Sequence, residues 1–152
     1  MKFLDFRRAL TQKIKALGYE VRYDEINKVK RPCFFIELIT YQKEFNGNYR
    51  EFKRLDFDIM YIPKKQEGDI TEIYSALENL DNNFEVAGNK ILIVTDEQGE
   101  KRYLTMKDVM LHEVDNLGHY QFSIELFDRY GKPIDYELMQ ELHLKFNKGD
   151  DK

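Results

Sequence analysis

The chain has few of the residues and segments that cross-links, metal cages and membrane spans require. Cys33 is the single cysteine among 152 residues, which excludes an internal disulfide and a cysteine-based zinc cage. No apolar run approaches the ~20 residues that a membrane span needs, and residues 1–8 carry charges where a signal peptide would be apolar. We therefore expect a soluble protein of a reducing cytoplasm that makes no contact with a membrane.

Sequence motifs of catalysis and cofactor binding are also missing. The histidines, His112, His119 and His143, have no i, i+4 partner of the kind found in helical zinc motifs, and no cysteine lies near them. The eight glycines are scattered and form no phosphate-binding loop. Ser75 and Ser123 lack the glycine-flanked turn of a nucleophile elbow. The sequence therefore predicts no catalytic residue, no metal, no cofactor and no enzymatic activity.

What the sequence does have is the composition of a folded domain, with 42% hydrophobic residues. At this length one domain is expected, and we assign residues 1–147 to it and residues 148–152 to a mobile tail. Residues 1–31 hold nine Lys/Arg and four Asp/Glu, whereas residues 66–152 hold nine and nineteen. This asymmetry suits contacts between unlike surfaces of neighbouring subunits, although solvated helix faces explain it equally well.

Hydrophobic periodicity predicts the secondary structure. Apolar residues at three- and four-residue steps indicate helices at 3–17 and 69–81, and the second begins with a capping-box spacing. Alternating or continuous apolar residues indicate strands at 19–23, 33–41, 49–62, 90–95, 103–114 and 119–127, and residues 135–146 have the spacing of a short helix. The predicted fold is α+β, a mainly antiparallel sheet of about six strands with two helices packed on one face.

A long β-hairpin over residues 33–62 is the centre of this predicted fold. Its first strand is apolar on both faces, because strict alternation separates two apolar sets, Phe34, Ile36 and Leu38 against Phe35, Ile39 and Tyr41. A strand that is apolar on both faces needs cover on both. One cover is expected from the helices and the other from a second layer or a neighbouring subunit.

Three carboxylates of this hairpin leave one enzymatic alternative open. Glu37, Asp56 and Asp58 lie on neighbouring predicted strands, as carboxylates that hold Mg²⁺ against a phosphate do in metal-dependent nucleases. Arg54 shares the face of Asp56 and Asp58, so ion pairs explain these residues equally well. The acidic chain also opposes binding to nucleic acid. A metal-dependent nuclease is therefore the less favoured reading of these residues.

The hairpin region and the elements around it resemble a phage tail terminator family. The resemblance spans roughly residues 3–130 and consists of aromatic strands at a given spacing, without a catalytic signature. Its segments are Tyr23-Asp24-Glu25, Pro32-Cys33-Phe34-Phe35-Ile36, Leu55-Asp56-Phe57-Asp58-Ile59-Met60-Tyr61-Ile62-Pro63, Glu72-Ile73-Tyr74 and Val114-Asp115-Asn116.

The resemblance implies a virion protein of long-tailed phages or prophages. Such proteins cap the growing tail tube as a ring, usually a hexamer, stop its polymerisation and supply the surface that joins the head. The implied location is the head–tail junction, after assembly in the host cytoplasm. The implied partners are further copies of the chain, the tail-tube protein and a head–tail connector protein. DNA passes through such a ring without specific nucleic-acid binding, and no cofactor or catalytic residue belongs to the role.

The central hairpin also supplies the candidate assembly interface. The loop at residues 43–49 is the candidate contact with the tail tube, although an ordinary hairpin tip is the competing interpretation. The remaining alternatives are another head–tail connector or a different interaction module, such as an assembly adaptor or an immunity-type protein. The candidate interface residues are Phe35, Ile39, Tyr41, Phe45, Asn46, Tyr49, Arg54, Asp56 and Asp58.

Overall fold

The computed structural model describes residues 1–23, 30–47 and 50–129, which form two helices and one seven-stranded sheet. The helices are α1 (Phe3–Ala16) and α2 (Ile70–Asn83). The strands are β1 (Val21–Arg22), β2 (Cys33–Phe45), β3 (Arg50–Ile62), β4 (Glu85–Val86), β5 (Asn89–Thr95), β6 (Lys101–Val114) and β7 (Leu117–Arg129).

The strand order across the sheet is β1-β2-β3-β7-β6-β5-β4. Every neighbouring pair is antiparallel except β1 and β2, which are parallel. The predicted α+β class, the two helices and the mainly antiparallel sheet are therefore confirmed. The expected number of about six strands was low by one, because β4 spans two residues and is too short to produce a periodic pattern. The helix expected at 135–146 and the mobile tail at 148–152 lie outside the described residues.

Helix α1 closes one side of the hydrophobic core. Its residues Phe6, Leu10 and Ile14 form one apolar stripe and are at most 1% exposed. The helix contacts β5 near one end of the strand order and also β1 and β2 at the other end. The sheet is therefore curved around α1, and burial of each of these large side chains stabilises the fold by about 1.5–3 kcal/mol.

Helix α2 begins at the N-cap residue Asp69, whose side chain accepts a hydrogen bond from the Thr71 backbone N–H at 3.0 Å. Its inner stripe includes Ile73 and Leu77, both fully buried. Gly118 of β7 allows the helix to approach the sheet closely, because a Cβ at this position would lie 2.8 Å from Ile73 Cγ2. Because glycine has no side chain, Gly118 permits the short distance between α2 and the sheet.

The long central hairpin is confirmed, and its second strand has the predicted faces. Leu55, Phe57, Ile59 and Tyr61 of β3 point to the helices and are at most 2% exposed. Phe57 stacks on Phe122 of β7, with ring centroids 5.4 Å apart. The period of two along β3 therefore identified the core side of the sheet correctly.

Two predictions for the first strand of the hairpin were wrong. The pairing of β2 with β3 shifts register between Leu38 and Thr40, so that Tyr41 lies opposite Leu55 on the helix side instead of sharing a face with Phe35. The extra residue is Ile39, and such a bulge reverses the alternation beyond it. The predicted loop at 43–49 is also shorter than expected, because residues 43–45 pair with β3 as part of β2.

The helix side of the sheet becomes charged near the tip of this hairpin. The Lys53 Nζ atom lies 2.6 Å from Glu51 Oε1 and 3.0 Å from Asp128 Oδ2, and all three side chains are at most 8% exposed. The Met1 amino group also donates to Asp128 Oδ2, at 2.6 Å, and Arg102 Nη2 lies 3.2 Å from Asp128 Oδ1. This buried charge network fastens the start of α1 to β3 and β7.

Candidate assembly interface

The face of the sheet opposite the helices, here called the outward face, carries a polar cluster in its centre. Arg54 of β3 reaches Glu125 Oε1 at 3.0 Å, Ser123 Oγ at 3.1 Å and Asp56 Oδ1 at 3.3 Å. Ser123 in turn donates to Asp56, and the Glu125 carboxylate also binds Lys107 at 2.6 Å. Lys107 and Arg54 lower the pKa of Glu125. The predicted interface residues Arg54 and Asp56 are thus brought together, and each already has partners within the subunit.

Asp58, the third charged candidate, is more enclosed than the other two. It is 5% exposed, and its Oδ2 atom lies 2.8 Å from His119 Nδ1 and 3.1 Å from Gln121 Nε2. The His119 ring stacks on His112 with centroids 5.1 Å apart. Buried carboxylates persist where hydrogen bonds satisfy them, and the Oδ2 atom of Asp58 has two such partners, whereas its Oδ1 atom is buried without one among the described residues.

The geometry of these carboxylates gives the nuclease alternative no support. Asp58 lies directly opposite Glu37, but Asp56 lies opposite Thr40 and is occupied by Arg54 and Ser123. Within residues 1–23, 30–47 and 50–129, no group of three or more His, Cys, Asp or Glu side chains is arranged to hold a metal ion. The same part of the chain contains no helix that meets the length and apolarity of a membrane span.

The apolar candidates on β2 divide into one that is partly covered and three that are exposed. Phe35 lies on the outward face opposite Met60 and is partly buried. Ile39 is 55% exposed at the bulge, Tyr41 is 48% exposed, and Phe45 is 67% exposed beside the Lys43 ammonium. Asn46 is exposed at the turn after β2, and Tyr49 lies outside the described residues.

The sequence reading missed a row of apolar side chains that crosses four strands on the outward face. Ile93 of β5 lies opposite Tyr103 of β6, and Phe127 of β7 lies opposite Phe52 of β3, with ring centroids 5.4 Å apart. The Arg102 side chain links β6 to β7 at this point, because its Nη1 atom donates to the Phe127 carbonyl at 3.2 Å. Tyr103 is 67% exposed and Phe127 is 59% exposed. We call Ile93, Tyr103, Phe127 and Phe52 the aromatic strip.

Three cations border the aromatic strip on the side of the hairpin tip. Arg50 begins β3 and lies directly opposite Arg129 at the end of β7, while Lys101 begins β6. All three are exposed, and none forms an ion pair within the described part of the chain. We call them the cation row. The sequence contains one signal of the aromatic strip, because alternation along β3 places Phe52 on the same face as Arg54. The whole strip is visible only when the four strands are in register.

Comparison with known proteins identifies the family of this chain. The model of the phage tail terminator protein family matches residues 5–135, which is most of the chain and includes every helix and strand from β1 to β7. No curated protein gives a match. The chain belongs to the phage tail terminator family, whose members are structural, non-enzymatic components of the virion tail.

Proposed function

We propose that this protein closes into a ring of six copies on the end of the tail tube, stops polymerisation of the tube and provides the surface to which the head is joined. Its partners in this role are other copies of itself, the tail-tube protein and a head–tail connector protein. The ring lies at the head–tail junction and is assembled in the host cytoplasm. DNA passes through the ring without sequence-specific contacts.

The observation that carries this proposal is the exposed aromatic strip on the outward face of a chain of this family. Tyr103 and Phe127 expose 67% and 59% of their surface, next to the partly buried Phe52. Aromatic side chains contribute much of the energy of protein interfaces, and contiguous exposed apolar patches mark surfaces that bind partners. The strip therefore supports a role exercised through assembly.

The tip of the β2–β3 hairpin is the proposed contact with the tail tube. Phe45 is 67% exposed and Asn46 follows it at the turn. The network of Lys53, Glu51 and Asp128 lies directly behind this tip and holds the strands that carry it. A rigid base with an exposed aromatic end suits a contact that must be made in one orientation.

Assembly on the tube is proposed to be templated, so that copies remain monomeric until they meet the end of a tube. Size-exclusion chromatography with light scattering, with and without purified tail tubes, tests this step. Monomers alone and rings on tubes are the expected result. A stable ring in both conditions would overturn templating without affecting the capping role.

Removal of the gene from the phage or prophage that encodes it tests the capping role itself. Electron microscopy of the particles should then show tails of uncontrolled, greater length and heads that are not attached. Expression of the intact chain in trans should restore tails of uniform length, and labelled protein should be found at the head end of the tail. Tails of normal length joined to heads after the deletion would refute the proposal.

A further inference from the structure

We propose that the aromatic strip and the cation row of one copy bind the outer surface of α2 of a second copy, so that the ring is built by head-to-tail contacts between the sheet of one subunit and the helix of the next. This inference rests on the proposed ring. The contact joins two different surfaces of the subunit, and their opposite charges determine which surfaces pair.

The receiving surface lies at the hairpin end of the outward face. The aromatic strip crosses four neighbouring strands, which spans roughly 15 Å at the usual strand spacing. Two of its rings are more than half exposed. A strip of this length and shape matches one face of a short helix.

The cation row supplies the electrostatic part of the receiving surface. Arg50 and Arg129 lie directly opposite each other on paired strands, an arrangement in which like charges destabilise a sheet. With Lys101 beside them, three exposed cations have no anionic partner within residues 1–23, 30–47 and 50–129. An anionic surface placed on this row would remove the repulsion, so the row favours an acidic partner.

Helix α2 presents the complementary surface on the opposite side of the molecule. Ile70 is 64% exposed and Tyr74 is 40% exposed, although both belong to a helix that packs its other face on the core. Residues 66–89 contain six Asp/Glu and no Lys or Arg. Glu78 lies one helical turn after Tyr74, and Glu67 lies three residues before Ile70; both are exposed and form no ion pair within the described residues.

The other acidic groups of α2 are already used inside the subunit. Glu72 accepts hydrogen bonds from Tyr61 Oη at 2.9 Å and from the Lys64 backbone N–H at 3.1 Å. Asp81 accepts a hydrogen bond from Tyr120 Oη at 2.8 Å and binds Lys90 at 2.7 Å. Asp69 caps α2, and Glu85 lies 3.4 Å from the Lys90 ammonium. Glu67 and Glu78 are therefore the carboxylates of residues 66–89 that are left for a partner.

The two surfaces differ in kind and lie on opposite layers of one molecule, which identifies the partner as a second copy. An apolar strip with cations on the sheet layer meets an apolar pair with anions on the helix layer. A contact between unlike surfaces of identical chains propagates from copy to copy, and it closes into a ring when the rotation between copies allows. Symmetric pairing of either surface with itself would instead place like charges together.

A charge-swap experiment tests this contact. The first variant carries Arg50→Glu and Arg129→Glu, and the second carries Glu67→Lys and Glu78→Lys. The amount of ring that each variant forms alone, in solution or on purified tail tubes, should fall at least tenfold, because like charges would then meet at every contact. An equimolar mixture should restore rings, since alternate copies again present opposite charges. Native mass spectrometry of rings released from the tubes, or of rings formed in solution, should find equal numbers of the two variants in each ring.

A control variant changes charge on an exposed part of the helix layer outside both surfaces. Lys15→Glu on α1 should leave ring formation unchanged. Circular dichroism and thermal unfolding of every variant verify that the chain remains folded. Loss of assembly in the control as well would show that net charge matters and would overturn the inference.

The remaining outcomes separate the inference from the proposed function. If both variants form normal rings and cap tubes, the contact is wrong and the capping role stands. If the first variant forms rings but no longer binds tubes, the strip binds the tail-tube protein, which also overturns the contact proposed here. If the unmodified chain forms no ring in solution or on tubes, the proposed function fails, and the contact fails with it.

Discussion

Replacement of Lys53 by methionine should reduce the stability of this protein far more than the same replacement at Lys107. Both ammonium groups lie 2.6 Å from a carboxylate oxygen, Lys53 from Glu51 and Lys107 from Glu125. Lys53 is 6% exposed, and its loss leaves Glu51 and Asp128 buried without that cation. Removal of one member of a buried charge network costs about 3–5 kcal/mol. The Lys107 side chain is 52% exposed, so water replaces its ion pair at little cost.

The same network gives the prediction a pH dependence. Burial alone would raise the pKa of Asp128, but the Met1 amino group and Lys53 outweigh it and lower that pKa from 3.8 to about 2. The Lys43 and Lys53 ammonium groups likewise outweigh burial and lower the pKa of Glu51. A carboxyl whose pKa is lowered by folding stabilises the fold above its ordinary pKa, and this stabilisation is lost as the pH falls through the lowered value. The network should therefore contribute fully above about pH 5 and lose its contribution between about pH 4 and pH 2.

Urea unfolding followed by far-ultraviolet circular dichroism at pH 7 and pH 3 measures these effects. At pH 7, Lys53→Met should lower the free energy of unfolding by about 3 kcal/mol and the melting temperature by roughly 6–12 °C. The penalty should be smaller at pH 3, because without Lys53 the two carboxyl groups become protonated more easily. Equal losses for Lys53→Met and Lys107→Met, or a penalty that grows as the pH falls, would refute the argument that burial decides the strength of these ion pairs.

Three further predictions concern local packing and hydrogen bonding, and thermal or urea unfolding measures all of them. Gly118→Ala should cost about 1–3 kcal/mol, because the new Cβ would lie 2.8 Å from Ile73 Cγ2, and a stability equal to that of the parent would contradict the close approach of α2. Asp69→Ala should cost about 1 kcal/mol through loss of the N-cap of α2, whereas Asp69→Asn should retain most of the stability. Tyr120→Phe should cost about 1 kcal/mol, since the buried hydroxyl donates to Asp81 Oδ1 at 2.8 Å, and an unchanged stability would show that this hydrogen bond contributes nothing.

The elements of the fold were predictable wherever the sequence has a clear period. The alternation of Leu55, Phe57 and Ile59 with polar residues identified β3 and its core face, and the three- and four-residue steps of α1 and α2 identified both helices. Local periodicity reports which side of an element is buried, and that information needs no knowledge of the partner. This is why these predictions were confirmed.

The predictions that depended on neighbouring strands were less successful. The bulge at Ile39 reverses the faces of β2 beyond Leu38, and nothing in residues 33–41 signals that β3 takes a different register there. Lys53 lies buried against Glu51 and Asp128, and no pattern in the sequence identifies these two partners. Such errors arise because a one-residue change of register moves every later side chain to the other face.

The sequence by itself determined the class of the fold, the two helices, the long hairpin, the lack of a catalytic motif and the resemblance that the family match over residues 5–135 confirms. These are properties of local period and residue type. The tertiary structure alone decided which distant residues meet: Lys53 with Asp128, and Phe52 with Phe127. Those contacts join residues about 75 positions apart. Only the register of the assembled strands can specify them, because no short segment contains both partners.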